Sequence, residues 1–437
     1  MNFIQKFQEA IKIPTWQLPE TQGDRMADAV MSRFQEFLVE TFPVIHKTAE
    51  RWVLNPYSVV YRLPGSTDDP AVLFLAHYDV VLAEKEKWSF DPFGAEMKDG
   101  FIYGRGSLDM KGILISIMEA AENLCAEGWK PKRDIWFAFG GDEEKSGILG
   151  ATEAVRWFKQ RGQRFAWVLD EGTPIVENQI KGIDTPFALV SIEEKGYLSL
   201  NLTVMQEPGH ASRPPKIQAA VVLGRALCRI AKKPFPYKLS LTVEAFFKLI
   251  SPMAGGIRGF VMRHARAFGP LFFKAAAANE AILRTTVAIT QLEGSAADNV
   301  MPSEVRAVIN LRLLWPWTVE AAIEYIKKII NDERVKVSVY GQGANPVAPN
   351  SRYKDKGWAE IQAAMTEAWP GIPLLPFIMV AITDSRHYQE ITGSIFRFTP
   401  YKLDTKEINT VHGHDERISI ENLRQGLLFY SMLLRSL

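Results

Sequence analysis

Five places along the chain carry side chains able to hold a cation. They are His77 with Asp79, Asp109, the pair Glu143-Glu144, the pair Asp170-Glu171, and His412. Each stands at the end of an apolar segment or beside glycine. A mixture of carboxylate and imidazole suits hard and borderline cations. Two cations ~3.5–4 Å apart need a carboxylate that can bridge them. Five ligands, one of them bridging, would give each cation three protein contacts and leave room for a water. In an extended chain, residues two apart leave the same face. Asp79 can therefore fix one ring nitrogen of His77 while the other faces a metal.

Each site also has a plain structural reading. Asp109 can cap a helix. Glu143 and Glu144 can open a solvated helix, favoured by its dipole. Asp170-Glu171-Gly172 can be a turn. His210 can be an exposed loop imidazole, and Arg312 and Arg386 surface charges. His414 fits either a supporting role at the site or a plain surface position, and His46, His264 and His387 read as structural. Taken together, these readings must account for five matching sites in one order, which a shared metal site does with a single cause.

The elements that would position these residues follow from periodicity. Helices are expected at 2–12 and 24–41, with Pro14 and Pro19 breaking the chain between them. Apolar strands are expected at 71–76, 134–139 and 165–169, each ending in acidic or histidine residues, with helices near 112–127 and 149–161 between them. That is the pattern of an open α/β sheet, whose ligands collect at the strand carboxyl ends. From about 195 the strands alternate apolar and polar residues. The order β-α-β-β-α-β over 195–342 predicts a ferredoxin-like α+β layer, interrupted by an apolar, helical stretch at 244–283. That stretch holds Phe246, Phe247, Phe260, Phe268, Phe272, Phe273 and an alanine run at 275–278. From about 345 the α/β pattern resumes. The expected architecture is thus a mixed, mostly parallel sheet flanked by helices, formed by 1–194 and 343–437, with 195–342 as an inserted lid domain.

Composition narrows the function. With 51 Lys+Arg against 50 Asp+Glu, the net charge is +1, which supports neither a nucleic-acid surface nor a polybasic membrane patch. No apolar run is long enough for a transmembrane helix. The N-terminal residues lack a signal peptide's apolar core. Two cysteines exclude a disulfide framework, so Asp, Glu and His must hold any metal, and a cytoplasmic location is expected.

Several motifs resemble one family of zinc metallopeptidases, that of carboxypeptidase S, aminoacylase-1, carboxypeptidase G and carnosinase. They are Ala-His77-Tyr-Asp79-Val-Val, Gly-Arg-Gly-Ser-Leu-Asp109-Met-Lys-Gly, Gly-Asp-Glu143-Glu144, Leu-Asp170-Glu171-Gly, Gly-His210-Ala-Ser-Arg-Pro-Pro and His412-Gly-His-Asp-Glu-Arg. The likeness covers nearly the whole chain and is nearest to the carboxypeptidase S branch. It implies a zinc-exopeptidase fold with two Zn2+ per chain, Co2+ or Mn2+ being able to substitute. His77 and His412 would each bind one metal, with Asp109 bridging and Asp79 orienting His77. Glu144 would be a ligand and Glu143 the general base. Asp170 or Glu171 would complete the set. His210, Asn299, Arg312 and Arg386 would contact substrate, with His210 reaching across a homodimer formed by the lid domain. Gly141, where the family often has His, and Lys145, where it has a small apolar residue, depart from the pattern at positions that are not ligands. The expected reaction is hydrolysis of an amide next to a free carboxylate. The substrate would be a short peptide, cleaved as a carboxypeptidase or dipeptidase would, with an N-acyl amino acid as the alternative. A non-catalytic binding protein that has kept the fold is the alternative from another class.

Overall fold

A computed structural model describes residues 1–16, 25–180, 182–269, 280–347, 351 and 353–437. Pro19, Phe272, Phe273 and the alanines at 275–278 lie outside the described residues. The chain forms two compact units, one of Met1–Ile192, Asn350–Phe377 and Thr383–Leu437, the other of Glu193–Pro349 and Ile378–Ile382.

The first unit is built on an eight-stranded sheet. Its strands lie in the order Glu50–Asn55, Ser58–Leu63, Ile135–Gly140, Val72–His77, Trp167–Val176, Ile395–Leu403, Phe187–Glu194 and Leu374–Met379. Val72–His77 pairs in parallel with Ile135–Gly140 and with Trp167–Val176, which pairs in parallel with Ile395–Leu403. Towards the edges the pairing becomes antiparallel, as between Ser58–Leu63 and Ile135–Gly140. All six residues of Val72–His77 are buried, which is why this strand reads as an unbroken apolar run rather than an alternation.

The two faces of the sheet fill separate cores. Val72, Phe74, Phe137 and Trp167 pack with the helices Lys111–Ala126, Lys356–Ala368 and Ile420–Arg435. The alternate residues Leu73, Leu75, Trp136 and Val168 pack with the helix Ala151–Gln160. A fully buried Phe or Leu side chain contributes about 1.5–3 kcal/mol, so both registers are strongly held. A one-residue slip would turn His77 into the wrong core.

Sequence patterning did not anticipate the strands Glu50–Asn55 and Phe187–Glu194. It also ended the strand before Asp170, whereas the strand runs on to Val176. Asp-Glu-Gly-Thr-Pro reads as a turn, but the parallel ladder with Ile395–Leu403 carries the chain through it, with a register shift at Arg397/Phe398. The ladder thus overrides local propensity.

In the second unit a four-stranded antiparallel sheet has the order Thr286–Glu293, Glu304–Leu313, Gly196–Met205, Lys336–Asn345. The helices Ala219–Lys232 and Val319–Ile330 share its core. This is the ferredoxin-like order. The stretch that interrupts it, between Ala219–Lys232 and Thr286–Glu293, is helical over Leu241–Ala254 and Gly256–Arg263. Among the described residues no helix is long and apolar enough to cross a membrane.

Gly172 shows how closely the strand that carries Asp170 and Glu171 is packed. A Cβ there would lie 2.3 Å from the backbone carbon of Arg397. Gly172→Ala is expected to force the two strands apart at a cost of about 1–3 kcal/mol. A fall of several degrees in the melting temperature is the expected readout, and an unchanged value would show that the strands can yield.

Candidate metal centre

The carboxyl ends of two strands, the middle of a third and two loops meet in the first unit. His77 ends its strand, and its Nδ1 lies 3.1 Å from the carbonyl oxygen of Asp79 and 3.4 Å from Asp79 Oδ1. Its Nε2 faces Asp109 Oδ1 at 3.0 Å and Glu171 Oε1 at 3.3 Å. The other oxygen of Asp109, Oδ2, lies 3.0 Å from His412 Nε2, and Glu144 Oε1 lies 3.1 Å from the same nitrogen. Two groups of candidate ligands result, His77 with Glu143 and Glu171, and Asp109 with Glu144 and His412. Within each group the ligand atoms lie within 4.8 Å of one another. Asp109 offers one oxygen to each histidine and so joins the groups.

Asp79 does more than meet His77. Its Oδ1 accepts from the Glu143 amide at 3.2 Å and its Oδ2 from the Glu144 amide at 3.1 Å. One buried carboxylate therefore sets both the imidazole and the backbone that carries the glutamate pair. Asp170 is placed differently from its neighbour Glu171. Its oxygens accept from the amides of Glu171 and Ser385, each at 2.9 Å. Both are occupied in fixing backbone, whereas Glu171 faces His77. Arg386 donates to the carbonyls of Thr383 at 2.8 Å and Ser146 at 2.7 Å, tying down the turn after Glu144. In the second unit, His210 pairs with Val300 on a two-stranded ribbon, and the Ala211 amide donates to the Asn299 carbonyl at 3.0 Å. Arg312 lies over the Tyr197 ring at 5.2 Å.

The charge pattern fits cations. Burial pushes Glu143 and Glu144 upward. Burial, reinforced by the Asp109 charge, carries Glu171 to about 8. Burial alone would also raise Asp109, but the imidazoles of His412 and His77 outweigh it and hold it well below the carboxylate range. Hydrogen bonds that its imidazole donates to Asp109 and Glu144 raise His412 to about 10. Burial opposes protonation of His77, but the charge of Glu171 and the bonds to Asp109 and Asp79 hold it well above its ordinary value. Without metal, protonated imidazoles offset the carboxylates. Divalent cations, which ligate neutral imidazole and ionised carboxylate, suit the same donors once those protons leave.

The profile described as peptidase family M20/M25/M40 matches residues 73–436. The chain belongs to this family. It is a hydrolase of amide or peptide bonds. The N-fatty-acyl-amino acid synthase/hydrolase PM20D1 of Xenopus tropicalis is 34% identical, the match covering 100% of this chain and 86% of that protein. The probable carboxypeptidase S-like 2 of Dictyostelium discoideum is 33% identical over 100% of this chain and 85% of its own length. Among solved structures, an M20 metallo-carboxypeptidase of Sulfolobus solfataricus superposes with a TM-score of 0.74 at 14% identity, covering 100% of this chain and 99% of the other.

One residue beside this candidate centre escaped sequence reasoning. Glu416 is fully buried and accepts from Arg105 Nη1 at 2.7 Å and from the amides of Gly106, Leu108 and Asp109 at 3.1, 2.8 and 3.2 Å. Arg105 also donates to the Gly413 carbonyl at 2.8 Å. The Asp109 loop and the His412 loop are thereby locked together. His412 itself has φ +60°, a left-handed conformation that costs a non-glycine residue about 1–2 kcal/mol. Glu416 lies inside a motif already singled out, but its partner is 311 residues away, and no local pattern links the two.

Two outcomes follow. Glu416→Gln is expected to lower metal affinity ~10–100-fold, the usual effect of disturbing the support of a ligand, as measured by metal titration of a variant with unchanged circular dichroism. Wild-type affinity would remove Glu416 from the support of the site. In the metal-free protein, Glu171 and His412 both have folded-state values above their unfolded ones. The folded state therefore holds extra protons, and stability contributed by these groups is lost as pH rises. Both act between pH ~6.5 and 8. The chelated protein should melt at a lower temperature at the upper end of that window, and the metal-loaded protein should show a smaller difference.

Proposed function

We propose that the protein is a two-metal amidohydrolase that releases an amino acid, with its carboxylate free, from an N-acyl amino acid. The observation that carries the two-metal part is the position of Asp109, with one oxygen on each histidine. His77 with Glu171 and His412 with Glu144 are read as the terminal ligands, Glu171 being preferred to Asp170 because only Glu171 faces His77. Zinc is the proposed ion. When bound, the metal pair would polarise the scissile carbonyl and make an attacking water more acidic.

The chain's own residues supply the rest. Glu143 takes the proton of the attacking water and passes it to the leaving amine. Its backbone is fixed by Asp79. Glu144 turns instead to His412, so adjacent residues divide the two tasks. Arg386 holds the turn that carries both. His210 and Asn299, neighbours on the ribbon of the second unit, are proposed together with Arg312 as polar contacts to substrate. Supply of His210 from a second copy in a homodimer is part of the same reading.

The acyl-amino-acid substrate is favoured by the amphibian relative, matched over the full length of this chain. The carboxypeptidase S-like relative, nearly as similar, favours a short peptide as the second reading. Hydrolysis of matched N-acyl amino acids and dipeptides with added zinc separates the two. Faster turnover of the acyl series is expected, and a preference for dipeptides would reverse the order. Glu143→Gln is expected to lower kcat by ~10²–10⁴-fold, the range for a lost general base, with metal content unchanged. Retention of most of the rate would transfer the role of base to another residue.

A further inference from the structure

The helices Leu241–Ala254 and Gly256–Arg263 form a hairpin turning at Gly255 and Gly256, whose φ values are +59° and +49°. Val243, Phe246, Phe247 and Ile250 point into the protein and are buried. A second apolar set points out. Ile257 is 83% exposed, Phe260 57% and Leu249 44%. Phe260 packs on His264 and Phe268, with ring centroids 4.7 and 6.0 Å apart, so the outer apolar surface continues past the second helix. Side chains of this size and number are seldom left together in water without a partner.

The polar residues around them are mostly cationic. Residues 241–269 hold four Lys and Arg, Lys248, Arg258, Arg263 and Arg266, against the single acid Glu244. Glu244 is taken by Arg266 at 2.6 Å, while Lys248, Arg258 and Arg263 are exposed. The whole chain has a net charge of only +1, so the rest of it is net acidic. The overall balance, which argued against a basic membrane patch, averages away this local excess.

We propose that this hairpin docks the protein on an anionic lipid surface, with Leu249, Ile257 and Phe260 entering the headgroup boundary and the three exposed cations meeting lipid phosphates. An outward apolar face bordered by Lys and Arg is the pattern of an interfacial helix. A second copy of this chain is a poorer occupant. In a two-fold contact the same face meets itself, and each copy would bring the same cationic excess. The docking is independent of which amide the enzyme cleaves.

Flotation of the full chain with vesicles tests this. Binding is expected to phosphatidylcholine vesicles that contain phosphatidylglycerol, and it should fall as salt rises. Each cation is worth about fivefold in partition, so the combined Lys248→Glu, Arg258→Glu and Arg263→Glu variant should bind at least ~100-fold more weakly. Ile257→Ser with Phe260→Ser should also lose binding. Both variants should keep wild-type metal content and melting temperature, since the altered side chains are exposed. No flotation, equal flotation on vesicles of phosphatidylcholine alone, or a dimer abolished by Phe260→Ser would overturn the proposal.

Discussion

Four carboxylates and two imidazoles are gathered in one largely buried pocket, and everything around them serves to keep them there. Two like charges 4 Å apart repel by about 4 kcal/mol at the effective dielectric of a protein near its surface. Asp109, Glu143, Glu144 and Glu171 would separate if nothing countered that force. Asp109 counters it directly, by placing one oxygen against each histidine. The same geometry that makes the cluster tolerable without metal would suit a metal pair, since a cation could take the place of each shared proton between these candidate ligands.

Two further carboxylates hold the frame rather than the ion. Asp79 grips the imidazole of His77 and the amides of Glu143 and Glu144. Glu416 grips three amides and an arginine on the Asp109 loop. Both are buried, and both accept several donors, which is what makes a buried carboxylate affordable. The sheet supplies the remaining rigidity, since its two cores fix the register of Val72–His77 and hence the direction of His77.

Much of this was legible in the sequence because the residues concerned sit in strong local patterns. The unbroken apolar run before His77 announced a strand buried on both faces, and the alternation after residue 195 announced a half-buried sheet. The polar residues that follow the apolar strands of the first unit converge in space, and the family they resemble is the one to which the chain belongs. What was hidden is non-local. Asp170 and Glu171 look interchangeable in sequence, and only the amides of Glu171 and Ser385 separate them. Glu416 meets its partner across most of the chain. The strand through Gly172 exists because a neighbouring strand pairs with it, against the preference of its own residues.

The lock between Arg105 and Glu416 also has a consequence for the order in which the molecule comes into being. Val72–His77 and the Asp109 loop leave the ribosome hundreds of residues before His412 and Glu416 do. Until the last part of the chain is made, Asp109 has only one of its two imidazoles, and its loop lacks the carboxylate that receives its amides. The second group of candidate ligands is thus incomplete until the segment with His412 and Glu416 has been made, and a metal pair could load only after that point. A truncation that removes only the final segment would take the bridging arrangement with it while leaving His77, Glu143 and Glu171 in the chain.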